Sequence, residues 1–451
     1  MVLSLLMLRS ASCRCPAPRR CMVFDACFGT ELQDRIAAAQ AQSPLLHLCH
    51  LWIAMLACVV LPLSSATSSV AFFLFLSCGI IRFKTLCPIW AAMFRSPLVM
   101  AIVGFLIWSA LSLSWTIDSA EGWETLRAQR YVLLVPLLLP LARDVRWLVL
   151  AMLAGVVLQV GAQMSVYVGV VPGSMRQPWH LNGGFSKHPS AVSMWALLAI
   201  GAVLSRGLAL STIWRITLGL IAMLGLFLSG SRTGMVGLVG LFPALLIFGA
   251  GVDRKVTGAV LGLGLILLSV VVVSTDLDPA RYIRKAIQSV PEAVAGTDQV
   301  SSASIRWALW SAGTDAGLQR PVVGWGLGSG PMVTDQHESM VALRAHDPQG
   351  HFTGLDMHSS WVSSFVELGG VGVLLYGLNI VLVIGAAVGL SQRLNPSWVP
   401  LAWSAAVMTV VFGVMNVTFN SGQFEAAVMM GVVLLLMFTA REDPIKQAAG
   451  S

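Results

Sequence analysis

Three positions in the sequence carry residue types that can bind a phosphorylated group and move a proton. Arg232 lies in a short polar turn, SGSRTG at residues 229–234, between two apolar blocks. Arg306 lies four residues before Trp310, and His358 marks the point where a long polar segment meets the next apolar block. A guanidinium is a planar donor fork that fits phosphate oxygens, and an imidazole accepts a proton near neutral pH. These side chains therefore predict a site that holds an anionic leaving group and deprotonates a hydroxyl.

Each of these residues also has a structural alternative. Arg232 can be an interfacial arginine whose stem lies along an apolar helix, Arg306 can belong to an amphipathic interfacial helix, and a lone histidine is more often structural. Two observations favour function. The glycines and serines around Arg232 let other backbone come close, and Arg306 and Trp310 share one face of a helix predicted over residues 304–316.

The other polar motifs of this region are weaker indications of a catalytic or binding site. The run GWGLGSG at residues 324–330 lacks the Lys-Ser/Thr ending and the strand–loop–helix setting of a phosphate-binding loop. We therefore interpret it as a turn that packs closely against another element, with direct ligand contact as the alternative. Glu367 lies nine residues after His358, about half a turn away around a regular helix, which predicts helix packing or a buried pair. Asp276 and Asp278 form an Asp-x-Asp pair, a pattern too short to predict a metal site.

The elements that must position these residues are membrane helices. The 451-residue chain is 56% hydrophobic and only 11% charged, against roughly 25% charged in soluble domains. Apolar blocks near twenty residues long and a mean hydropathy of +0.79 are typical of membrane-spanning helices. The predicted fold is an all-α polytopic membrane protein with about twelve transmembrane helices and one large outer loop that carries short helices. The apolar blocks lie at residues 46–63, 67–82, 97–114, 130–142, 147–171, 189–205, 213–229, 233–250, 256–274, 359–390, 398–416 and 425–440.

The distribution of basic residues predicts the orientation of the chain. Lys and Arg lie mainly in the connections on one side of the blocks, which places both termini in the cytoplasm and accounts for the net charge of +7 without nucleic-acid binding. The predicted divisions are a tail at 1–44, nine spans at 45–274, an outer loop at 275–357, three spans at 358–440 and a tail at 441–451. The outer side holds no ATP or sugar nucleotide, so chemistry there needs an activated donor carried by the membrane.

The cysteines exclude a disulfide-bonded outer domain. All eight lie in the first fifth of the chain, and none lies in the large outer loop. Four of them fall between residues 13 and 27, but their spacing fits no zinc pattern and no histidine accompanies them. We therefore predict that residues 1–44 are a reduced, disordered cytoplasmic tail.

In their order, spacing and common side, these motifs resemble the O-antigen ligase and polymerase superfamily. The resemblance rests on the turn around Arg232, on Arg306 with Trp310, on PVVGWGLG at 321–328, and on the pair that begins at His358. His-Ser, nine residues, Gly, two residues, Gly is similar to the ligases that attach O-antigen to lipid A–core. By motif the resemblance covers residues 180–375, and by topology it covers the whole chain.

The resemblance implies a metal-independent and cofactor-free glycosyl transfer on the periplasmic face of a Gram-negative inner membrane, and a direct displacement by the acceptor would invert the anomeric centre. The donor would be a polysaccharide on undecaprenyl pyrophosphate, and the acceptor a hydroxyl of the lipid A–core oligosaccharide, both within membrane lipid and with no nucleotide. Arg232 and Arg306 would hold the donor pyrophosphate, and His358 would take the proton of the acceptor hydroxyl. Further donor or acceptor contacts are expected from Arg176, His180, Lys187, His188, Trp310, His337 and Ser359.

Four other functions stay open at this point. An O-antigen polymerase or a protein O-oligosaccharyltransferase would use the same donor, and only the His-Ser register and the short C-terminal segment argue for a ligase. A small-anion transporter would show internal repeats with broken helices and ionisable residues at mid-membrane, and neither is evident. A metal-dependent lipid-linked transferase would need acidic residues in its first outer connection, and residues 64–69 contain none.

Overall fold

The protein is all-helical throughout the part of the chain that the structure describes. The computed structural model describes residues 26–170, 184–186, 188–248, 253–274, 302–345, 357–392, 396–418 and 421–440, and these ranges contain no strand. The α-helices are α1 (Ala26–Gln42), α2 (Pro44–Val60), α3 (Ser65–Ile81), α4 (Phe83–Met93), α5 (Pro97–Ser112), α6 (Ser119–Ala128), α7 (Leu134–Leu138), α8 (Val145–Tyr167), α9 (Pro189–Leu204), α10 (Thr212–Leu228), α11 (Arg232–Phe248), α12 (Arg254–Ser274), α13 (Ser302–Gln319), α14 (Gly330–Thr334), α15 (Glu338–Ala345), α16 (Ser360–Ser391), α17 (Val399–Met415) and α18 (Gly422–Ala440).

The predicted apolar blocks coincide with these helices in all but one case, which confirms the all-helical class. By length and composition, three helical stretches can cross a membrane: Ser119–Tyr167, Ser360–Ser391 and Gly422–Thr439. Two bent helix pairs raise the number to five if each pair is one span. The other apolar helices are shorter, so the count of about twelve spans stays a prediction.

The exception is the block at residues 130–142, which is not one regular helix. The short α7 lies there between two 3-10 turns, because Pro136 and Pro140 supply no backbone donor and disrupt a regular helix. The indole of Trp90 donates to the carbonyl oxygen of Pro136 at 2.8 Å. Neighbouring side chains are almost fully buried, and irregular backbone is tolerated in a membrane protein where other helices cover it. The candidate span at residues 130–142 is therefore broken into short turns within the longer helical stretch Ser119–Tyr167, and its crossing of a membrane stays a prediction.

The segment expected to be a disordered tail contains a packed helix. Leu32 and Ile36 of α1 are buried in the main core, and α1 meets α2 at an angle of 110°. Arg35 joins α1 to α4 through its Nη1, which donates to the carbonyl oxygen of Pro88 at 2.8 Å. The expectation of disorder is therefore wrong for residues 26–42, and residues 1–25 lie outside the described residues.

The core is built around α9, which is buried along almost its whole length. It packs against α8, α10, α11, α17 and α18. Small residues allow the close approach, as is usual between membrane helices. A Cβ added to Gly201 of α9 would lie 2.5 Å from Ser404 Cβ, and one added to Gly234 of α11 would lie 2.5 Å from Ser193 Cβ. Beside this core, α16 packs on α5 and α17, and α13 packs on α16.

Candidate functional site

Arg232 is presented by a turn whose hydroxyl groups satisfy its own backbone. The hydroxyl of Ser229 donates to the carbonyl oxygen of Leu226 at 2.6 Å and accepts from the backbone N–H of Ser231 at 3.2 Å. The hydroxyl of Ser231 then accepts from the N–H of Gly234 at 3.2 Å, as an N-cap residue does. Arg232 is the first residue of α11, and its side chain is exposed. The sequence of the turn therefore fixes the helix start and leaves the guanidinium to extend away from it.

Arg306 is held by α13, the first helix of a helical unit formed by residues 302–345, which is named the outer unit after its predicted side of the membrane. The buried face of α13 contributes Leu309 and Ala312 to a small core with Met340, Leu343 and Met357. Arg306 lies beside this core and is half-buried. The predicted helix over 304–316 is confirmed and extends over Ser302–Gln319.

The two arginines are close enough to interact electrostatically. Burial and, after it, the positive charge of Arg232 lower the pKa of Arg306 below its ordinary value. Like charges disfavour each other's ionised form, so bringing two guanidiniums together costs free energy that an anion between them would recover. The pair is thus suited to a group with at least two negative charges, such as a pyrophosphate.

Hydrogen bonds connect the residues on both sides of His358 to the elements that carry the two arginines. The indole Nε1 of Trp310, one turn after Arg306, donates to the carbonyl oxygen of Met357 at 3.0 Å. On the other side, the backbone N–H of Ser360 donates to the carbonyl oxygen of Asn416 at 3.0 Å. Asn416 in turn donates from Nδ2 to Thr233 Oγ1, next to Arg232, at 3.4 Å. These contacts therefore link the segments that carry the three predicted residues. Each contact involves a residue at most two positions from Arg232 or His358, or one helical turn from Arg306.

The backbone of His358 is also unusual. Its φ of 49° lies in the left-handed region, which costs a non-glycine residue on the order of 1–2 kcal/mol. Ser359, the next residue, is buried and extended, with a φ of −157°, and α16 starts immediately after it. Strained residues of this kind persist where the surrounding structure determines them, and they concentrate at functional sites.

His188 lies at the edge of the same site, at the start of α9. The hydroxyl of Ser186 accepts from the backbone N–H of His188 at 3.0 Å and lies 2.7 Å from Gln423 Oε1. The ring of His188 lies 5.7 Å from that of Phe424. Two residues on, the hydroxyl of Ser190 lies 3.5 Å from that of Ser231 in the arginine turn. The other predicted residues of this loop, Arg176, His180 and Lys187, lie outside the described residues.

The side chain of His337 contacts other residues of the outer unit. Its Nε2 lies 2.9 Å from Asp315 Oδ2 and its Nδ1 lies 2.9 Å from Ser339 Oγ. Asp315 follows Arg306 by nine residues on α13, which puts it on the opposite face of the helix and about 14 Å along it. The role of His337 in substrate contact stays a prediction, and its ring already has two protein partners.

The glycine-rich run at residues 324–330 serves packing. The N–H groups of Trp325 and Gly326 donate to the carbonyl oxygens of Val366 and Glu367 at 2.9 and 2.8 Å. The N–H of Gly328 donates to Glu367 Oε2 at 3.1 Å, and Glu367 is 1% exposed. Because these donors already have acceptors within the protein, they do not form a phosphate cradle. The interpretation as a closely packed turn and that of Glu367 as a buried residue of helix packing are both confirmed.

Asn416 is the residue that sequence reasoning missed. It belongs to the polar connection between α17 and α18, where the hydroxyl of Ser360 also lies 3.0 Å from Thr418 Oγ1. The available signal was a polar run between two apolar blocks on the predicted outer side. A metal centre has no support in the described ranges, which contain no group of three or more His, Cys, Asp or Glu side chains that could hold an ion. Asp276 and Asp278 lie outside those ranges.

Residues 217–377, which extend from α10 into α16, match the family model described as O-antigen ligase. The matched segment contains Arg232, Arg306 and His358, the three main residues of the candidate site. No curated protein matches the chain.

Proposed function

We propose that this chain, a member of the O-antigen ligase superfamily through residues 217–377, is an O-antigen ligase of the bacterial inner membrane. It moves a polysaccharide from undecaprenyl pyrophosphate to the lipid A–core oligosaccharide on the periplasmic face. The family match supports activity of the ligase and polymerase type in a membrane protein. The specific donor, the acceptor and the ligase role are part of the proposal.

The observation that carries the proposal is the arginine pair beside His358. Transfer from a pyrophosphate carrier needs charge stabilisation on the leaving group and a base for the acceptor hydroxyl. The electrostatic influence of Arg232 on Arg306 supports a pair of cations that share one anionic ligand. The bonds of Trp310 to Met357 and of Ser360 to Asn416 support His358 as the base of the same site.

The reaction that fits this arrangement is a direct displacement. The acceptor oxygen forms a bond to the anomeric carbon, and the bond from that carbon to the pyrophosphate oxygen breaks, leaving its electron pair on the pyrophosphate. The acceptor proton passes to the imidazole of His358, while Arg232 and Arg306 hold the developing charge. Attack opposite the leaving group inverts the anomeric centre. No metal is needed, because the two guanidiniums supply the positive charge, and EDTA should leave the rate unchanged.

Complementation of a ligase-null Gram-negative strain with a compatible core and O-antigen tests the proposal. The wild type should restore the lipopolysaccharide ladder, and undecaprenyl pyrophosphate polymer should not accumulate. In membranes, His358→Ala should lower the transfer rate about 10²–10⁴-fold because the base is lost. Arg306→Ala should lower it about 10²–10³-fold because charge stabilisation is lost. His337→Ala is the matched control, since His337 belongs to the same outer unit but bonds to Asp315, and its activity should stay near that of the wild type.

The outcomes separate the alternatives. A ladder that persists in well-expressed His358→Ala removes His358 as the base, and loss of the ladder in His337→Ala instead would move that role to His337. Accumulated full-length carrier-linked polymer without a ladder rejects the ligase assignment and points to a protein acceptor. Growth of short chains into long ones on the carrier, without transfer to core, would identify a polymerase.

A further inference from the structure

A second partly buried guanidinium lies on the same side of the helix bundle as this site. Arg130 is in the 3-10 turn Gln129–Leu133 that follows α6. Its Nη2 donates to Ser69 Oγ at 2.8 Å, its Nη1 donates to the carbonyl oxygen of Arg127 at 3.0 Å, and it lies 4.9 Å from the ring centre of Tyr131. Within the described ranges its buried Nε has no hydrogen-bond partner, and no carboxylate forms a salt bridge with it. A cation held in this way at the end of membrane helices is expected to serve a ligand.

The start of α18 connects Arg130 to the arginine pair. A Cβ added to Gly422 would lie 3.0 Å from Tyr131 Cε2 and 4.0 Å from Arg130 Nη2, so the chain passes directly beside the guanidinium. Gln423, the next residue, lies 2.7 Å from the hydroxyl of Ser186, next to the His188 segment. That segment reaches the arginine turn through Ser190 and Ser231. Neighbouring chain segments, joined by the hydrogen bonds of Ser186 and Ser231, therefore connect the surroundings of Arg130 to the turn that carries Arg232.

The length of the chain limits the distance between the two places. Asn416 contacts Thr233, beside Arg232, and Gly422 approaches Arg130. Gly422 follows Asn416 by six positions in the chain, and fully extended chain spans at most about 3.3–3.6 Å per residue. The backbone from one contact to the other is thus no longer than about 21 Å. The two cationic places are close enough to serve one reaction and lie on different elements, so they can hold different anions.

The surroundings of Arg130 indicate what kind of anion it takes. Ser69, which accepts its hydrogen bond, lies in the first turn of α3, and the next residues that point outward on this helix are apolar. Val70 is 64% exposed and Phe73 is 59% exposed, as expected of residues that face acyl chains. A ligand that uses both features has a phosphate at its polar end and acyl chains directly below it.

We propose that Arg130 binds a phosphate group of the acceptor glycolipid, at a place separate from the donor pyrophosphate at Arg232 and Arg306. The inference rests on the proposed function, because it assigns the acceptor of the same transfer. A transferase with two anionic lipid substrates needs two cationic places, and each charge-assisted contact adds affinity and fixes the position of the group that carries it. Arg130 then sets where the acceptor lies, and His358 acts on the hydroxyl that this position presents.

Kinetics of the purified protein in nanodiscs test the assignment. Arg130→Gln removes the charge and keeps a hydrogen-bonding group for Ser69, and Arg130→Lys keeps the charge. Arg127→Ala is the matched control, since Arg127 lies one turn away on the same segment, is 69% exposed and pairs only with Glu124 at 3.7 Å among the described residues. With donor saturating, Arg130→Gln should raise the KM for a phosphorylated lipid A–core acceptor about tenfold or more. Its kcat and its KM for the donor should change by less than about threefold, Arg130→Lys should recover part of the loss, and Arg127→Ala should match the wild type.

A second pair of measurements identifies the ligand. With an acceptor stripped of its phosphates, wild type and Arg130→Gln should show the same KM. Retention of the phosphorylated acceptor, measured by native mass spectrometry, should fall in Arg130→Gln and stay unchanged in Arg127→Ala. This binding measurement needs no turnover, so it tests Arg130 even if the wild type transfers nothing and the proposed function fails.

Several results would overturn the inference. A rise in the KM for donor alone would assign Arg130 to the carrier pyrophosphate. An equal loss with phosphorylated and stripped acceptors would make its role structural. The kinetic defect of Arg130→Gln could instead depend on whether the nanodisc contains anionic phosphatidylglycerol, with no change in acceptor retention. That result would assign Arg130 to ordinary membrane lipid.

Discussion

Two tryptophans of the outer helical unit make the same kind of hydrogen bond at different distances from the site. The indole of Trp310 donates to the carbonyl oxygen of Met357 at 3.0 Å, and that of Trp325 donates to the carbonyl oxygen of Ala316 at 2.8 Å. The first bond joins α13 to the residue before His358, and the second stays within the outer unit. A comparison of Trp310 with Trp325 therefore separates the contribution of this hydrogen bond to stability from its contribution to the position of His358.

Replacing Trp310 by phenylalanine should impair transfer more than replacing Trp325. Each change removes one indole donor and should cost about 1 kcal/mol of stability. Only Trp310→Phe releases His358 from the helix that carries Arg306, and we expect its kcat to fall about tenfold with little change in donor KM. Equal kcat values for Trp310→Phe and Trp325→Phe, with equal thermal stability in detergent, would contradict the positioning role of Trp310.

Residue types alone predict part of the site. Arg232 could be selected because a permanent charge at the end of an apolar block is costly and needs a reason. Arg306 could be selected because it shares a helix face with Trp310, and His358 because it lies where the long polar segment meets the next apolar block. Asn416 could not, because its importance comes from simultaneous contacts with Thr233 and the backbone of Ser360, and no spacing along one chain segment encodes a contact between three helices. The same holds for Arg130, which the sequence presents only as one basic residue near a proline-containing block.

At the scale of elements, the break in α16 at Gly369 holds the outer unit to the membrane helices. Gly369 has a φ of 67° and a ψ of −165°, a conformation that is essentially restricted to glycine. Around it the N–H of Gly370 donates to the carbonyl oxygen of Pro321 at 2.8 Å, and that of Gly326 donates to the carbonyl oxygen of Glu367 at 2.8 Å. The glycine-rich run therefore packs into a kink that only glycine permits.

Adding one methyl group at this kink should destabilise the protein, whereas the same change further along α16 should not. A Cβ on Gly369 would collide with the carbonyl group of Val322 and requires a strained φ, so Gly369→Ala should lower the yield of monodisperse protein and its melting temperature by several degrees. Gly389 has no other atom within 4 Å of an added Cβ, and Gly389→Ala should be neutral or slightly stabilising. Similar melting temperatures for the two variants would refute the role given to the kink.

At the scale of the whole molecule, hydropathy predicts the positions of helices along the chain better than their directions in space. The apolar blocks coincide with helices because burial and lipid both favour apolar residues. Hydropathy does not show that α1 and α4 turn by 110° and 98° from their neighbours, since direction depends on contacts such as that between Arg35 and Pro88. It also cannot show that residues 130–142 form broken turns, which are stable only because other helices bury them.

The predicted orientation can be tested with two single cysteines in a variant that lacks the eight native ones. Val341 of the outer unit is 54% exposed, and Ser211, directly before α10, is also exposed. If both termini are cytoplasmic, a membrane-impermeant maleimide added to spheroplasts should label Val341→Cys, and it should label Ser211→Cys only after lysis. The reverse pattern would invert the topology and place the arginine pair on the cytoplasmic side. Retained transfer activity verifies that the cysteine-free protein is folded.

The arginine pair has a consequence for turnover. In the proposed reaction, cleavage of the sugar–phosphate bond leaves the carrier pyrophosphate with more negative charge than it had in the donor. The two guanidiniums therefore attract the spent carrier more strongly than the substrate they first bound, since the contacts that stabilise a developing charge persist once it has formed. We expect carrier release to be slower than glycan transfer, so that free carrier inhibits the protein. The rate of glycan transfer in a cell would then depend on how quickly the spent carrier is removed from the membrane around the protein.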